Sequence, residues 1–349
     1  MKILSIETSC DDTCITLLEV KGKSFRVLAN EANSQAKKHS AYGGVYPNLA
    51  KNEHIKNLPI LLKKVLGSAT LPNPPPGGGQ GWGIDLIAVT SGPGLEPCLW
   101  AGITFAEDLA KKWRVPLVPV NHMEGHVLSV FANRKEFSIK NFQFPILSLL
   151  VSGGHTQLVL TKKGFRHEII GETLDDAVGE AFDKVARMLG LPYPGGPQIS
   201  KLAEKVKNSR FKLPRPMLKS KNFNFSYSGL KTSVFYLIKK LGRLDKKTKN
   251  EIALEFEKAT IEPLIYKTAR AFEKYKAKTL IVAGGVAANR HLREEMRRVS
   301  KNVLFPAPEL ATDNAIMIGM AGYLQYLRNP KKKYKVKAFG RLRLGEMIK

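Results

Sequence analysis

Ile3-Leu4-Ser5, close to the start of the chain, returns as Ile146-Leu147-Ser148, and at the same offset Thr13 returns as Thr156 and Leu17 as Leu160. No gap is needed. Each copy reads as strand, polar turn, strand. Glu7-Thr8-Ser9-Cys10-Asp11-Asp12 fills the first turn and Ser152-Gly153-Gly154-His155 the second. Two related β-hairpins imply two related domains, and 349 residues suit about two. Five matches between short apolar segments are also within reach of chance, because strands share composition; the differing turns argue against mere repetition.

Apolar strand-like runs fall at 3–6, 14–20, 26–32, 86–90, 117–120, 146–151, 157–161, 280–283 and 303–305. Helical periodicity separates many of them, at 48–66, 99–113, 175–189, 246–275, 289–299 and 312–327. This alternation predicts an α/β fold with a partly parallel sheet. The Pro/Gly stretch at 72–83 continues neither element type and reads as an exposed loop.

Charge bounds the partners. The chain carries 56 Lys+Arg against 30 Asp+Glu, a net +26, which points to a polyanion and to nucleic acid first, with a merely solvated basic surface as the alternative. Lys331-Lys332-Lys333-Tyr334-Lys335-Val336-Lys337 and Arg341-Leu342-Arg343 read either as a flexible phosphate-contacting arm or as a disordered tail. Cys10, Cys14 and Cys98 are too few for a disulfide scaffold, and a reducing cytoplasm fits best. The strand-like opening Met1–Ile6 leaves no room for a signal peptide, and no apolar run reaches membrane-spanning length.

His122 and His126 are the metal-binding spacing of the chain. On a helix, positions i and i+4 share a face and can hold one ion. Two packed histidines are the alternative. Glu124 falls nearly opposite, unlike the glutamate of HExxH metalloproteases, which disfavours a protease. Asp313 can complete such a site or simply start a helix.

Val151-Ser152-Gly153-Gly154-His155-Thr156 offers backbone N–H groups to a phosphate, although a plain hairpin turn uses the same residues. Tyr193–Pro197 and Ala283–Arg290 add glycine clusters, the second where a strand runs into a helix. Asn289 either addresses a ribose or phosphate or caps that helix. Asp183, in an otherwise apolar stretch, needs a partner, and a ligand hydroxyl is one candidate.

Together Ile6–Thr13, Tyr42–Val45, Ser91–Leu95, His122–His126, Leu150–Thr156, Asp183, Tyr193–Pro197, Phe225–Thr232 and Ala283–Arg290 resemble the TsaD (Gcp/YgjD) family, in its bacterial form, over nearly the whole chain. The resemblance implies two duplicated actin-like domains of the ASKHA (RNase H-like) type with a ligand cleft between them. The expected division is 1–120, then 121–327 with helical insertions, then a basic tail 328–349.

It implies His122, His126 and Asp313 as ligands of one divalent ion, iron or zinc. It implies Leu150, Val151, Ser152, Gly153, Gly154, Asp183, Gly196 and Asn289 as substrate contacts, with a nucleotide or threonylcarbamoyl-AMP as ligand, and Asp11 and Asp12 as an acidic pair linked to activity. The implied reaction moves a threonylcarbamoyl group from threonylcarbamoyl-AMP to N6 of adenine 37 in tRNAs reading codons that begin with A. The implied partners are tRNA, a TsaB-like paralogue and a TsaE-like ATPase, with no membrane.

Four segments depart from the family pattern, among them Pro47-Asn48-Leu49-Ala50 in place of Pro-Glu-Leu-Ala and the lengthened Pro/Gly loop at 72–83. Where the family commonly reads Gly-Pro-Gly-Leu-Val-Gly, this chain has Gly92-Pro93-Gly94-Leu95-Glu96-Pro97, and the family's Arg-Pro-Arg-Trp-like ending is replaced by Gly340-Arg341-Leu342-Arg343. A metal-dependent glycoprotease, a small-molecule kinase and a chaperone-like ATP-binding module are the competing readings, because fold does not fix function.

Overall fold

The computed structural model describes residues 1–69, 82–132, 134–140 and 142–346. The expected loop at 72–83 therefore lies outside the described residues, apart from Trp82 and Gly83. The chain forms two compact units, Met1–Asn141 with Thr312–Lys349, and Phe142–Ala311.

The first unit holds strands β1 (Lys2–Glu7), β2 (Asp12–Lys21), β3 (Ser24–Ser34), β4 (Leu86–Gly92), β5 (Leu117–Asn121) and β6 (Glu136–Ser138), in the order β5-β4-β1-β2-β3-β6. β1, β2, β3 and β6 run as an antiparallel ladder, while β4 and β5 lie parallel to β1. Helix α1 (Ala36–Ser40) precedes α2 (Pro47–Ser68), and α3 (Glu96–Trp113) links β4 to β5. Leu58, Leu61 and Val65 of α2 and Leu99, Ile103 and Ala106 of α3 pack with Leu4, Ile6, Ile15 and Leu17. Alternation along β1 sends Leu4 and Ile6 into that core and Ser5 to the opposite face.

That opposite face carries α4 (His122–Ser129) and α10 (Ala315–Arg328). Small residues set the spacing. A Cβ at Gly319 would lie 2.6 Å from Leu18, one at Gly322 2.5 Å from the Ala88 Cβ, and one at Gly125 2.9 Å from Met317. So α10 lies flat on the sheet and α4 lies hard against α10. This packing is why the division falls at residues 141 and 312 rather than at the expected 120 and 327: both helices bury their apolar faces on the first sheet.

The basic tail is also part of this unit. Val336, Leu342 and Leu344 are buried, the Phe339 N–H donates to Ser91 O at 2.8 Å, and Asn121 Nδ2 donates to Arg343 O at 3.1 Å. The flexible arm expected there is corrected by these bonds over residues 336–344. Two of the departures from the family pattern meet: Gly340 N donates to the Glu96 carboxylate at 3.3 Å, and Gly94 N donates to Gly340 O at 3.3 Å.

The second unit repeats the plan. Strands β7 (Ile146–Val151), β8 (Thr156–Lys162), β9 (Arg166–Glu172), β10 (Thr279–Ala283) and β11 (Val303–Leu304) take the order β11-β10-β7-β8-β9, with β7, β8 and β9 antiparallel and β10 and β11 parallel to β7. The first five strands of each unit thus share one topology, and the internal echo falls on paired positions, Leu4 opposite Leu17 and Leu147 opposite Leu160. Helices α5 (Val178–Met188), α6 (Gly195–Ala203), α7 (Ser228–Leu241), α8 (Lys246–Lys274) and α9 (Arg290–Val299) complete the unit. Phe182, Phe256, Ile252, Leu264 and Leu292 pack onto Leu147, Leu149, Leu158, Leu280 and Val282 to form its core.

β6, β9, α1, α6 and α7 are additions to the elements that periodicity predicts. β9 reads Arg-His-Glu-Ile-Ile-Gly-Glu, a half-exposed edge strand with weak apolar alternation. The helix expected from 175 begins at Val178, because Asp175 accepts instead from Tyr227 N at the start of α7 and Asp176 from Lys231 Nζ within it.

Candidate metal centre and glycine-loop site

In the first unit, Asn121 ends β5 and caps α4, its side-chain oxygen accepting from Met123 N at 2.9 Å. The next turn carries His122 and His126 on one face, with ring centroids 4.7 Å apart. Asn314, not Asp313, caps α10, accepting from Met317 N at 3.0 Å. Asp313 is thereby left just outside the helix. Its Oδ1 lies 3.3 Å from Nε2 of both histidines, and the three ligand atoms fall within 4.8 Å of one another.

The donor set suits a divalent ion. His126 is 1% exposed and neither ring nitrogen has a hydrogen-bond partner among the described residues, so a buried imidazole faces the carboxylate without a proton-sharing geometry. Burial pushes His126 below the ordinary imidazole range. Burial opposes ionisation of Asp313 too, but the imidazoles of His122 and His126 outweigh it and hold the carboxyl well below its usual range. A neutral imidazole and an ionised carboxylate are the ligand states a metal needs.

Behind them stands Glu7, a member of the Ile6–Thr13 motif to which the sequence alone assigns no role. Its Oε2 lies 3.0 Å from His122 Nδ1 and accepts from Thr90 Oγ1 at 2.6 Å, while Oε1 accepts from Ser9 N. A carboxylate on the far nitrogen fixes the ring and aims Nε2 at the ligand position. Burial works against charge on His122, but Glu7 and Asp313 outweigh it and raise its pKa well above the ordinary value, so an ion bound there would displace the His122 proton. Glu124 pairs instead with Arg328, at 3.4 Å, in keeping with its expected direction away from the metal.

The acidic turn after β1 is braced from both ends. His54, fully buried on α2, lies 2.9 Å through Nε2 from Cys10 O and 2.8 Å through Nδ1 from Thr13 Oγ1, and Gln35 N donates to Asp11 O. Between these braces sit Asp11 and Asp12. Burial pushes both carboxyls up, with Asp313 adding to each, and Asp12 reaches about 7. Asp12 Oδ1 is buried with no hydrogen-bond partner among the described residues.

In the second unit, Leu150 and Val151 close β7 with side chains fully buried, so only their backbone is available to a ligand. The Ser152–His155 turn follows, with Ser152 N bonded to His155 O at 2.9 Å. A Cβ on Gly153 or Gly154 would meet nothing within 4 Å, so both face open space. Two other glycines clamp the turn from behind. A Cβ on Gly179 would fall 2.6 Å from Ser152 O, and one on Gly284, at φ +93°, 2.4 Å from Val151 O.

Asp183 finds its partner in the protein, accepting from Gly195 N at 2.7 Å at the start of α6, where a ligand hydroxyl was one candidate. Asn289 caps α9 through Leu292 N at 2.9 Å, and its Nδ2 also donates to Ser200 Oγ at 3.0 Å and Glu257 at 2.7 Å. Ser200 Oγ in turn contacts Gly196 O at 3.3 Å. Hydrogen bonds therefore join Asn289 to Gly196 and Asp183 to Gly195. Glu257, from mid-α8, carries no local sequence signal for this role. Next to Asn289 along the chain, Ala288, Arg290, Arg293, Arg297 and Pro308 line a cavity of about 330 Å³.

A family model described as tRNA N6-adenosine threonylcarbamoyltransferase matches residues 26–320. The chain is 44% identical over 330 residues to the tRNA N6-adenosine threonylcarbamoyltransferase of Thermosipho africanus (strain TCF52B), covering 93% of this chain and 94% of that relative. Among solved structures, T. kodakarensis HypF superposes with a TM-score of 0.59 at 14% identity, over 96% of this chain and 48% of that one. An activator of the 2-hydroxyisocaproyl-CoA dehydratase from Clostridium difficile gives 0.53 at 11% identity, over 95% and 98%. Both have the actin-like ATPase fold of the ASKHA type, which the duplicated sheets here share. The family match across most of the length, joined to that level of identity, shows that the chain belongs to the TsaD family of tRNA N6-adenosine threonylcarbamoyltransferases.

Proposed function

We propose that this chain transfers the threonylcarbamoyl group of threonylcarbamoyl-AMP to N6 of adenine 37 in tRNAs reading codons that begin with A. The observation that carries the reading is the convergence of His122, His126 and Asp313 on one point, with Glu7 behind them, in a member of this family. These three side chains would hold a divalent ion, iron or zinc, which supplies Lewis-acid polarisation of the acyl carbonyl when bound.

An exocyclic amine is a weak nucleophile, so it needs both a polarised carbonyl and an acceptor for its proton. Asp12 suits the role of acceptor, because its carboxyl titrates at about 7 and its Oδ1 has a buried, unengaged lone pair among the described residues. As the bond from N6 to the carbonyl carbon forms, the bond from that carbon to the phosphate oxygen breaks. AMP leaves with the electron pair and the amine proton passes to Asp12. Backbone N–H groups of Gly153 and Gly154 hold the phosphate, and Gly196 and Asn289 border the nucleotide.

The adenine acceptor lies in a single-stranded loop, and net charge +26 suits the tRNA backbone. No described helix is long and apolar enough to cross a membrane. Membership of a tRNA-modifying family favours a cytoplasmic setting, with a TsaB-like paralogue and a TsaE-like ATPase as partners. The test is an assay of purified protein with threonylcarbamoyl-AMP and such a tRNA, with and without those partners. Modified nucleoside is expected; its absence in both arms, with metal bound, overturns the reading. Phosphorylation of a small molecule by the pure protein would favour a kinase instead.

A further inference from the structure

The outer face of α7 combines bare aromatic rings with unpaired cations. Phe235 and Tyr236 are 48% and 62% exposed, and their rings meet edge to face with centroids 5.5 Å apart. One turn on, Lys239 and Lys240 follow at i+4 from each ring, and Arg243 follows past Gly242; all three are exposed. None of the three has a carboxylate within ion-pair distance among the described residues.

Asp245 is the lone acidic residue between positions 228 and 250, and it is engaged in capping α8 through Thr248 N at 2.7 Å. Lysines in a last turn also complement the helix dipole. That accounts for the position of Lys239 and Lys240, not for two large rings left in water beside them.

From this face we infer a docking surface for tRNA, in which Phe235 and Tyr236 stack on unpaired bases while Lys239, Lys240 and Arg243 neutralise the adjoining phosphates. A ring offers its face to any base, and a cation without a carboxylate partner gives up little to meet a phosphate. The exposed apolar residues of α2 make the contrast: Ile55 and Ile60 are aliphatic, cannot stack on a base, and suit a protein surface. The inference rests on the tRNA reading above and adds where the RNA is gripped. Because the contacts are equal in ground and transition states, they act on KM for tRNA and leave kcat unchanged at saturation.

The test uses the full chain, with its partner proteins where the assay needs them. Affinity for an unmodified tRNA transcript is measured against salt for the parent, for Phe235→Ala/Tyr236→Ala and for Lys239→Ala/Lys240→Ala/Arg243→Ala. The aromatic pair is expected to weaken binding about tenfold at every salt concentration. The basic triple is expected to weaken it about tenfold or more at low salt and to flatten the salt dependence by roughly two charges. Phe235→Tyr/Tyr236→Phe keeps both rings and should bind like the parent, since stacking needs the ring and not the hydroxyl.

Unchanged affinity and salt slope in both alanine variants, with the parent still forming product, overturn the docking surface and leave the activity standing. Loss of a protein partner on size-exclusion chromatography, with tRNA affinity intact, overturns it in favour of a protein-binding face. A parent that neither binds tRNA nor forms product removes the functional reading itself.

Discussion

The turn after β1 and the turn after β7 occupy the same place in the same hairpin and share almost nothing else. Both hairpins keep one register, with Leu4 on Leu17 and Leu147 on Leu160. The first turn is acidic, braced by His54 at Cys10 and Thr13, and carries a carboxyl pushed to about 7. The second is glycine-rich and opens to space beyond Gly153 and Gly154. Duplication has kept the frame, which the core demands, and released the turns, which it does not. One copy gathers carboxylates next to imidazoles, and the other bares backbone N–H groups.

The largest expected effect lies on the first side of that comparison. His126→Ala and Asp313→Ala should each abolish stoichiometric metal content, read by elemental analysis, and cut transfer by about a hundredfold or more, since Lewis-acid stabilisation is worth several kcal/mol. Retained metal with full activity would show that the carboxylate and imidazoles converge for packing alone. Glu7→Gln keeps the shape but loses the charge behind His122, and metal affinity should drop about 10- to 100-fold in competition with a chelator.

On the glycine side, two substitutions sharpen the contrast. Gly284→Ala meets Val151 O and a φ of +93°, so it should cost about 2–4 kcal/mol and lower the melting temperature by roughly 5 °C or more. Gly154→Ala meets nothing and should leave melting unchanged while weakening nucleotide binding several-fold in calorimetry. Equal melting shifts for the two would mean that the turn is not clamped as described.

A further effect is in pH. Asp12 titrates at about 7 when folded and near 3.9 when unfolded, so between about pH 4 and pH 7 the folded chain keeps a proton the unfolded chain has released. Stability of the chelator-treated protein should therefore fall as pH rises across that window. Asp12→Asn should remove that part of the slope in denaturant titrations run at several pH values.

The hairpins, most core strands, both long helices and the histidine pair on α4 are legible in the sequence because each leaves a local period or spacing in the chain. β9, α6 and α7 are not, because an edge strand of Arg-His-Glu-Ile-Ile-Gly-Glu and helices opening on Gly-Gly or Ser-Gly carry weak local signals. Asp183 does have the partner that its apolar surroundings require, but that partner is a backbone N–H twelve residues on, visible only once α6 is folded. The lysines of the tail suggest mobility, whereas Val336, Leu342 and Leu344 are buried in the first unit.

By itself the sequence determined the α/β duplication and the family, since these follow from periodicity and motif, and donor chemistry singled out the candidate metal and anion residues. Tertiary structure alone decided that Asn314 rather than Asp313 caps α10, that Glu7 stands behind His122, and that Glu257 holds Asn289. It also joined Glu96 to Gly340, two departures far apart in the chain. The reason is physical: a cap, a supporting carboxylate or a tail contact depends on which helices lie against which strands, and close approach at Gly125, Gly319 and Gly322 sets that packing.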